Sequence, residues 1–214
     1  MNLTEQFLSV RNTIQQGVEL VVVSKKQSVE KIKTIYDTGC RSFGENKVME
    51  LMEKKELLPT DIQWHLIGHL QTNKVKYIAP FIHLIQSLDS IKLAGEIDKQ
   101  AKKCDRIIDC LLEIYIASEE TKFGFSFEEA EDFLNNKLSG FPNIRIKGLM
   151  GMATNTANTE QVRREFKSLT DFYRRYEKAL TLSHLSMGMT NDYKIAMEEG
   201  SNMIRVGSAI FNEQ

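Results

Sequence analysis

The chain reads as an α/β protein, a (β/α)8 barrel occupying residues 1–214 as one domain. Three observations predict this. Eight short β-branched or apolar runs alternate with longer polar or amphipathic stretches, the pattern of repeated βα units. The length, 214 residues, falls within the roughly 200–250 residues that such barrels occupy. No Pro/Gly/Ser-rich linker, low-complexity tract or fixed-period repeat divides the chain, and only three prolines occur.

The elements follow in order. Residues 3–16 read as a leading helix, with Leu3, Phe7, Leu8, Val10 and Ile14 as an imperfect apolar stripe that packs on the barrel exterior or closes its bottom. Strands are expected at 18–24, 41–43, 62–67, 81–87, 106–116, 144–150, 181–186 and 202–206, each followed by a segment able to return the chain to the start of the next. The stretch 158–180 has the clearest helical character. Phe166, Leu169, Phe172 and Tyr173 supply its inner face, and Glu160, Arg163, Arg164, Glu165, Arg174 and Arg175 read as a solvated face. Right-handed crossovers put every strand C-terminus on one face of the barrel.

Composition narrows the function classes. Hydrophobic residues at 42%, charged residues at 27% and a formal charge of −1 describe an ordinary globular protein without a basic field for nucleic acid or anionic membrane. Any phosphate is therefore expected to be bound locally. Cys40, Cys104 and Cys110 form no CxxC pair and no metal-ligand cluster with the four histidines, so free thiols in a reducing cytoplasm and no metal are expected. The N-terminus lacks a basic and apolar leader, and no window approaches the ~18 apolar residues of a span. Neither export nor a membrane anchor is expected.

The informative residues fall at the predicted strand C-termini, the binding face of such a barrel. The run Val21-Val22-Val23-Ser24-Lys25 delivers a lysine from a buried parallel strand, between apolar walls that free its lone pair to capture a carbonyl cofactor as a Schiff base. Taken alone, Lys25 and Lys26 read more readily as the start of a solvated loop. Ser186, Gly188, Gly207 and Ser208 can cradle a phosphate through backbone N–H groups and hydroxyls, or serve as turn glycines with capping serines. Arg205 sits in the apolar strand Met203-Ile204-Arg205-Val206 and needs an inward partner. That partner is either a carboxylate or a ring nitrogen, as in pyridoxal phosphate sites. A permanent cation there would keep the nitrogen unprotonated and weaken the ring as an electron sink. Asn46 can bond the ring or the imine, His65 reads chiefly as a core histidine, and Lys122 is either a loop charge or a second amine at the mouth.

VVVSKK at 21–26, FGEN at 43–46, WHLIGHLQTNK at 64–74, TKFG at 121–124, GLMGM at 148–152, LSMGMTND at 185–192 and MIRVGSAIF at 203–211 together resemble the pyridoxal phosphate homeostasis protein family, single-domain relatives of the alanine racemase barrel. The resemblance runs along nearly the whole chain. It implies a fold-type III barrel binding pyridoxal 5'-phosphate, with Lys25 as the Schiff-base lysine and Arg205 as the pyridine-nitrogen partner. Ser186, Gly207 and Ser208 match the phosphate cradle, and Asn46 is the remaining cofactor-binding candidate.

The same resemblance implies a monomeric cofactor carrier or regulator without established turnover, whose partners are the cofactor and the apoenzymes that depend on it. The alternative is a small racemase or lyase using the same lysine as a base; a barrel that has lost its ligand is a third reading. Two positions depart from the family pattern. Tyr115 stands where many relatives carry asparagine and is expected to narrow the mouth or to replace the amide with its hydroxyl, and Ala117 stands where they often carry a small hydroxyl residue. Gln27 stands where several relatives carry a second lysine, which bears on any transfer of cofactor between two amines.

Overall fold

A computed structural model of the chain describes residues 1–118 and 123–211. Eight strands pair in parallel in chain order, and the eighth returns to the first, closing a barrel. They are β1 (Glu19–Val23), β2 (Ser42–Glu45), β3 (Gln63–Leu66), β4 (Leu84–Leu88), β5 (Ile108–Ile114), β6 (Ile144–Gly151), β7 (His184–Ser186) and β8 (Met203–Val206). Closure pairs Leu20 with Ile204, Val21 with Arg205 and Val22 with Val206.

The period-2 alternation of each strand sorts its side chains into two cores. Val21, Leu84, Leu111, Met150 and Met203 fill the barrel interior. Val22, Phe43, Trp64, Leu66, Leu112 and Ile204 face outward into the layer shared with the helices. These helices are α1 (Leu3–Arg11), α2 (Val29–Tyr36), α3 (Val48–Leu57), α4 (Val75–Ile78), α5 (Ile91–Lys103), α6 (Phe127–Asp132), α7 (Thr159–Tyr176), α8 (Tyr193–Glu198) and α9 (Ser208–Phe211).

All eight expected strands are present, with shifted bounds that have local causes. β4 starts at Leu84 rather than 81, because α4 and the turn in which Ile82 N–H donates to Ile78 O occupy the preceding residues. β7 has only three residues, since Thr181 takes φ 52° and Leu182 N–H is engaged by Glu177 O. The leading helix begins with a capping box of Asn2 and Glu5. It ends at Arg11 rather than 16, where Thr13 turns back through Oγ1 onto Val10 O at 2.7 Å. Phe7 and Val10 are buried, but Leu8 is exposed, so the stripe is narrower than expected. α1 packs outside the barrel against α2 and α9.

α7 buries Phe166, Leu169, Phe172 and Tyr173 as expected, but its charged face is only partly solvated. Glu165 is buried and accepts from Thr154 N and Oγ1, both at 2.7 Å, and from Gln161 Nε2 at 3.0 Å. These donors hold its carboxyl below the usual carboxylate range despite burial. Arg163 pairs with Glu198 at 2.6 Å and Glu199 at 2.5 Å. Sequence spacing alone cannot distinguish such a docked charge from a solvated one.

No described helix is long and apolar enough to cross a membrane. The described residues contain no metal-binding cluster, and the three cysteines are free. Phe166 has no exposed surface and joins α7 to the outer core. Phe166→Ala is expected to remove about 3–5 kcal/mol of stability, measured by urea unfolding. A loss below about 1 kcal/mol would contradict this packing.

Candidate cofactor site at the strand ends

The β1–β2 ladder continues past β1, with Ser24 N–H donating to Gly44 O at 3.0 Å. Alternation therefore carries Val21, Val23 and Lys25 along the inner side up to the rim. Lys25 is exposed there, not walled by apolar side chains as its sequence setting suggests. Its strand ends before the side chain is enclosed.

The closing pair puts the loop after β8 against β1. A Cβ on Gly207 would lie 2.9 Å from Val23 O and 3.1 Å from Val23 Cβ, so only glycine permits this approach. Gly207 O accepts from Ile210 N at 2.8 Å, opening α9 at Ser208. Ser208 Oγ lies 3.0 Å from Thr190 Oγ1, joining this loop to the one after β7. In that β7 loop Gly188 takes φ +94°, and a Cβ on it would meet Ala196 Cβ at 2.6 Å. The two loops thus bring hydroxyls and open backbone beside Lys25. Thr190 belongs to this cradle and is not singled out by the sequence, which shows hydroxyls near glycines but not which pair meets.

Ser186, two residues before Gly188, is fully buried, and its hydroxyl is engaged inside the barrel by Arg205 and Gln86. Arg205, only 3% exposed, donates from Nη1 to Ser186 O at 3.0 Å and Oγ at 2.5 Å, and from Nη2 to Gly151 O at 3.1 Å. Ser186 Oγ donates in turn to Gln86 Oε1 at 2.6 Å. Gln86 Nε2 lies 3.0 Å from His65 Nδ1. The Gln86 amide, with Oε1 toward Ser186 and Nε2 toward His65, sets the direction of this chain. The amide nitrogen donates to Nδ1, so the His65 proton sits on Nε2.

His65 is completely buried, and burial first, then His83 and His184, pull its pKa down to about 3. It is a neutral core residue, with Nε2 lacking a hydrogen-bond partner among the described residues and Glu19 Oε1 3.8 Å away. Arg205 therefore finds its inward partners in neutral oxygens, with no carboxylate at ion-pair distance among the described residues. Burial draws its pKa down to about 10, opposed by Glu113 and Asp192, and it stays charged at neutral pH.

Glu113 is the principal group the sequence reading missed. It lies on the inner face of β5 and is 4% exposed. Burial, reinforced by Asp89 and opposed by Arg205, pushes its carboxyl up to about 8. Period 2 along β5 marks its inward direction, but nothing local marks its proximity to Arg205. Alternation also places Tyr115 on the inner side just past β5, half-buried, with its N–H donating to Phe125 O at 2.9 Å.

Asn46 follows β2 on the same side as Gly44, at the rim and half-buried. Gly68 packs against it, since a Cβ there would lie 2.7 Å from Asn46 O, and the next residue, His69, holds Nδ1 2.7 Å from Asp89 Oδ2 with its ring stacked on Phe123 at 3.9 Å. Gln27 is buried and accepts from Lys31 Nζ at 3.1 Å. Lys122 lies outside the described residues.

Comparison with known proteins matches residues 1–214 to the model of the alanine racemase N-terminal domain. A pyridoxal phosphate homeostasis protein of Aquifex aeolicus is 37% identical over 100% of this chain and 99% of its own. One of Haemophilus influenzae is 32% identical over 99% and 93%. The structure of PipY of Synechococcus elongatus with PLP bound superposes with a TM-score of 0.88 at 30% identity, covering 98% of this chain and 100% of that one. Alanine racemase of Clostridium difficile shares the fold, with a TM-score of 0.82 at 16% identity over 98% of this chain and 56% of its own. By sequence along its whole length and by the architecture of its barrel, the chain belongs to the pyridoxal phosphate homeostasis protein family.

Proposed function

We propose that the chain binds pyridoxal 5'-phosphate at the strand-end face, holds its aldehyde on Lys25, and serves to store and release the cofactor rather than to turn over a substrate. The observation that carries this reading is that an exposed lysine and the Gly207–Ser208–Thr190 loops share one face of the barrel, with the buried Arg205 in the inner layer beneath it, paired with Val21. The group supplies an aldehyde, which condenses with a neutral amine with loss of water.

The residues present fit such a group. Both loops come so close to their neighbours at Gly188 and Gly207 that a side chain there would collide, leaving backbone and two hydroxyls to meet an anion. Arg205 is anchored by Ser186 and Gly151. A fixed cation beside a ring nitrogen opposes its protonation, which favours holding the cofactor over stabilising a carbanion. The PLP-bound PipY structure supports the cofactor, and the homeostasis proteins above support a role in handling it. Three free thiols suit action in a reducing cytoplasm. A second reading, a small racemase or lyase, is favoured by Glu113, a carboxyl able to carry a proton near neutral pH. Sustained turnover of an amino acid, lost in Lys25→Ala, would establish it.

Purified protein mixed with pyridoxal phosphate is expected to gain an imine absorbance band, and borohydride reduction with peptide mass mapping to place the label on Lys25. Lys25→Ala loses band and label but still binds pyridoxine phosphate, which has an alcohol in place of the aldehyde. A label on another residue, or none, overturns the assignment.

The Glu113 carboxyl keeps its proton in the folded state up to about pH 8, whereas the unfolded chain releases it near 4.3. Stability should therefore fall as pH rises between these values, by on the order of 2 kcal/mol or more. Glu113→Gln is expected to flatten that decline in urea unfolding from pH 5 to 8. An unchanged slope would mean that Glu113 is ionised in the folded protein.

A further inference from the structure

Outside the barrel wall, a charged side chain is buried against the loop that carries Lys25. Lys54, on α3, is 5% exposed. Its Nζ donates to Glu45 Oε1 at 2.7 Å, to Glu50 Oε1 at 2.6 Å and to the backbone oxygen of Ser24 at 2.7 Å. Ser24 Oγ donates to the same Glu45 oxygen at 2.7 Å. Glu50 Oε1 also accepts from the backbone N–H of Lys26.

These partners have a specific geometric meaning. Ser24 C=O belongs to the peptide unit before Lys25, and Lys26 N–H to the one after it. Both peptide planes around the Lys25 Cα are thus tied to the Lys54–Glu50 pair, while Gln27 N–H adds a third bond to Ser24 O at 3.0 Å. The loop needs such ties because Lys26 takes φ 61°, a conformation non-glycine residues rarely adopt unless their surroundings impose it. Burying Lys54 and Glu45 is costly. Glu45 is fully buried, with Oε2 unpartnered among the described residues, and burial raises its carboxyl against the pull of Lys54. Packing a helix on a strand does not require this, since the apolar residues Val48 and Leu51 of α3 already pack into the core.

Resting on the assignment of Lys25 as the cofactor lysine, we propose that Lys54, acting with Glu45 and Glu50, is a positioning residue that fixes the backbone on both sides of Lys25 and so aims its amine at the bound aldehyde. Lys54 touches neither cofactor nor amine. Its effect should appear in covalent capture and not in recognition of the phosphate and ring.

The test compares wild type with Lys54→Met and with Glu50→Ala. The second variant releases the Lys26 amide but leaves the Lys54–Glu45 pair in place, on a partly exposed helix position that tolerates truncation. Three quantities are read: binding of pyridoxal phosphate with imine absorbance, binding of pyridoxine phosphate, and hydrogen exchange at the Lys26 amide in the protein without cofactor. In both variants imine formation is expected to weaken about tenfold or more and Lys26 exchange to accelerate, while pyridoxine phosphate binding stays within about twofold of wild type.

Equal loss for both ligands, or imine formation and exchange both unchanged, overturns the proposal. If wild type forms no imine, the cofactor assignment of Lys25 fails instead. The exchange readout still decides whether Lys54 and Glu50 hold the loop: accelerated exchange supports the clamp, and unchanged exchange overturns it.

Discussion

The return of the last strand onto the first is the constraint on which the rest of the site depends. Sequence neighbours need only short crossovers to meet, but β1 and β8 lie at opposite ends of the chain, and their pairing of Val21 with Arg205 and Val22 with Val206 closes the ring. Closure brings Gly207 against Val23 and the cradle beside Lys25. It also sets Arg205 in the same inner layer as Ser186 and Gln86. An open sheet with the same strands would have the same motifs without the site. Because parallel strands pair only through crossovers, helices cover the outer face, and the barrel is stabilised from both sides of its wall.

The interior departs from a purely apolar barrel core along one line. From Arg205 through Ser186 and Gln86 to His65, each donor meets an acceptor, and the orientation of the Gln86 amide gives the direction. A buried polar network is tolerable when its members are satisfied, and this one is satisfied except at His65 Nε2. It holds Arg205 charged and pointed without a carboxylate partner, leaving its field available at the mouth. Glu113 is held mostly protonated nearby by burial, so it does not cancel that charge. Lys54, Glu45 and Glu50 do comparable work outside the wall, where they hold the Lys25 turn. The site is thus supported from inside by a neutral relay and from outside by an ionic one.

The barrel is legible in the sequence because each strand is a compact apolar run punctuated by glycine or polar residues, and period 2 with the strand ends locates the face that carries Lys25, Asn46, Gly207 and Ser208. The unread part lies in contacts between distant strands. Ser186 looks like a loop hydroxyl by its neighbours, yet it is committed to Gln86, 100 residues away. Glu113 alternates like any inward residue, and its raised carboxyl arises first from burial and then from Asp89, just past β4, against the opposing pull of Arg205 on β8. Glu165 sits in a run of charges and is nevertheless docked onto Thr154. In each case the local pattern reports direction, whereas the identity of the neighbour depends on barrel closure and loop path. Thr190 and Lys54 escape notice for the same reason.

The most direct measurement is a crystal structure of the protein soaked with pyridoxal phosphate. Density continuous from the Lys25 amine to the ligand is expected, with the phosphate between the Gly188–Thr190 and Gly207–Ser208 loops and the ring nitrogen facing Arg205. A phosphate bound elsewhere, or a ligand joined to a different amine, would contradict the claim that barrel closure assembles a cofactor site around Lys25.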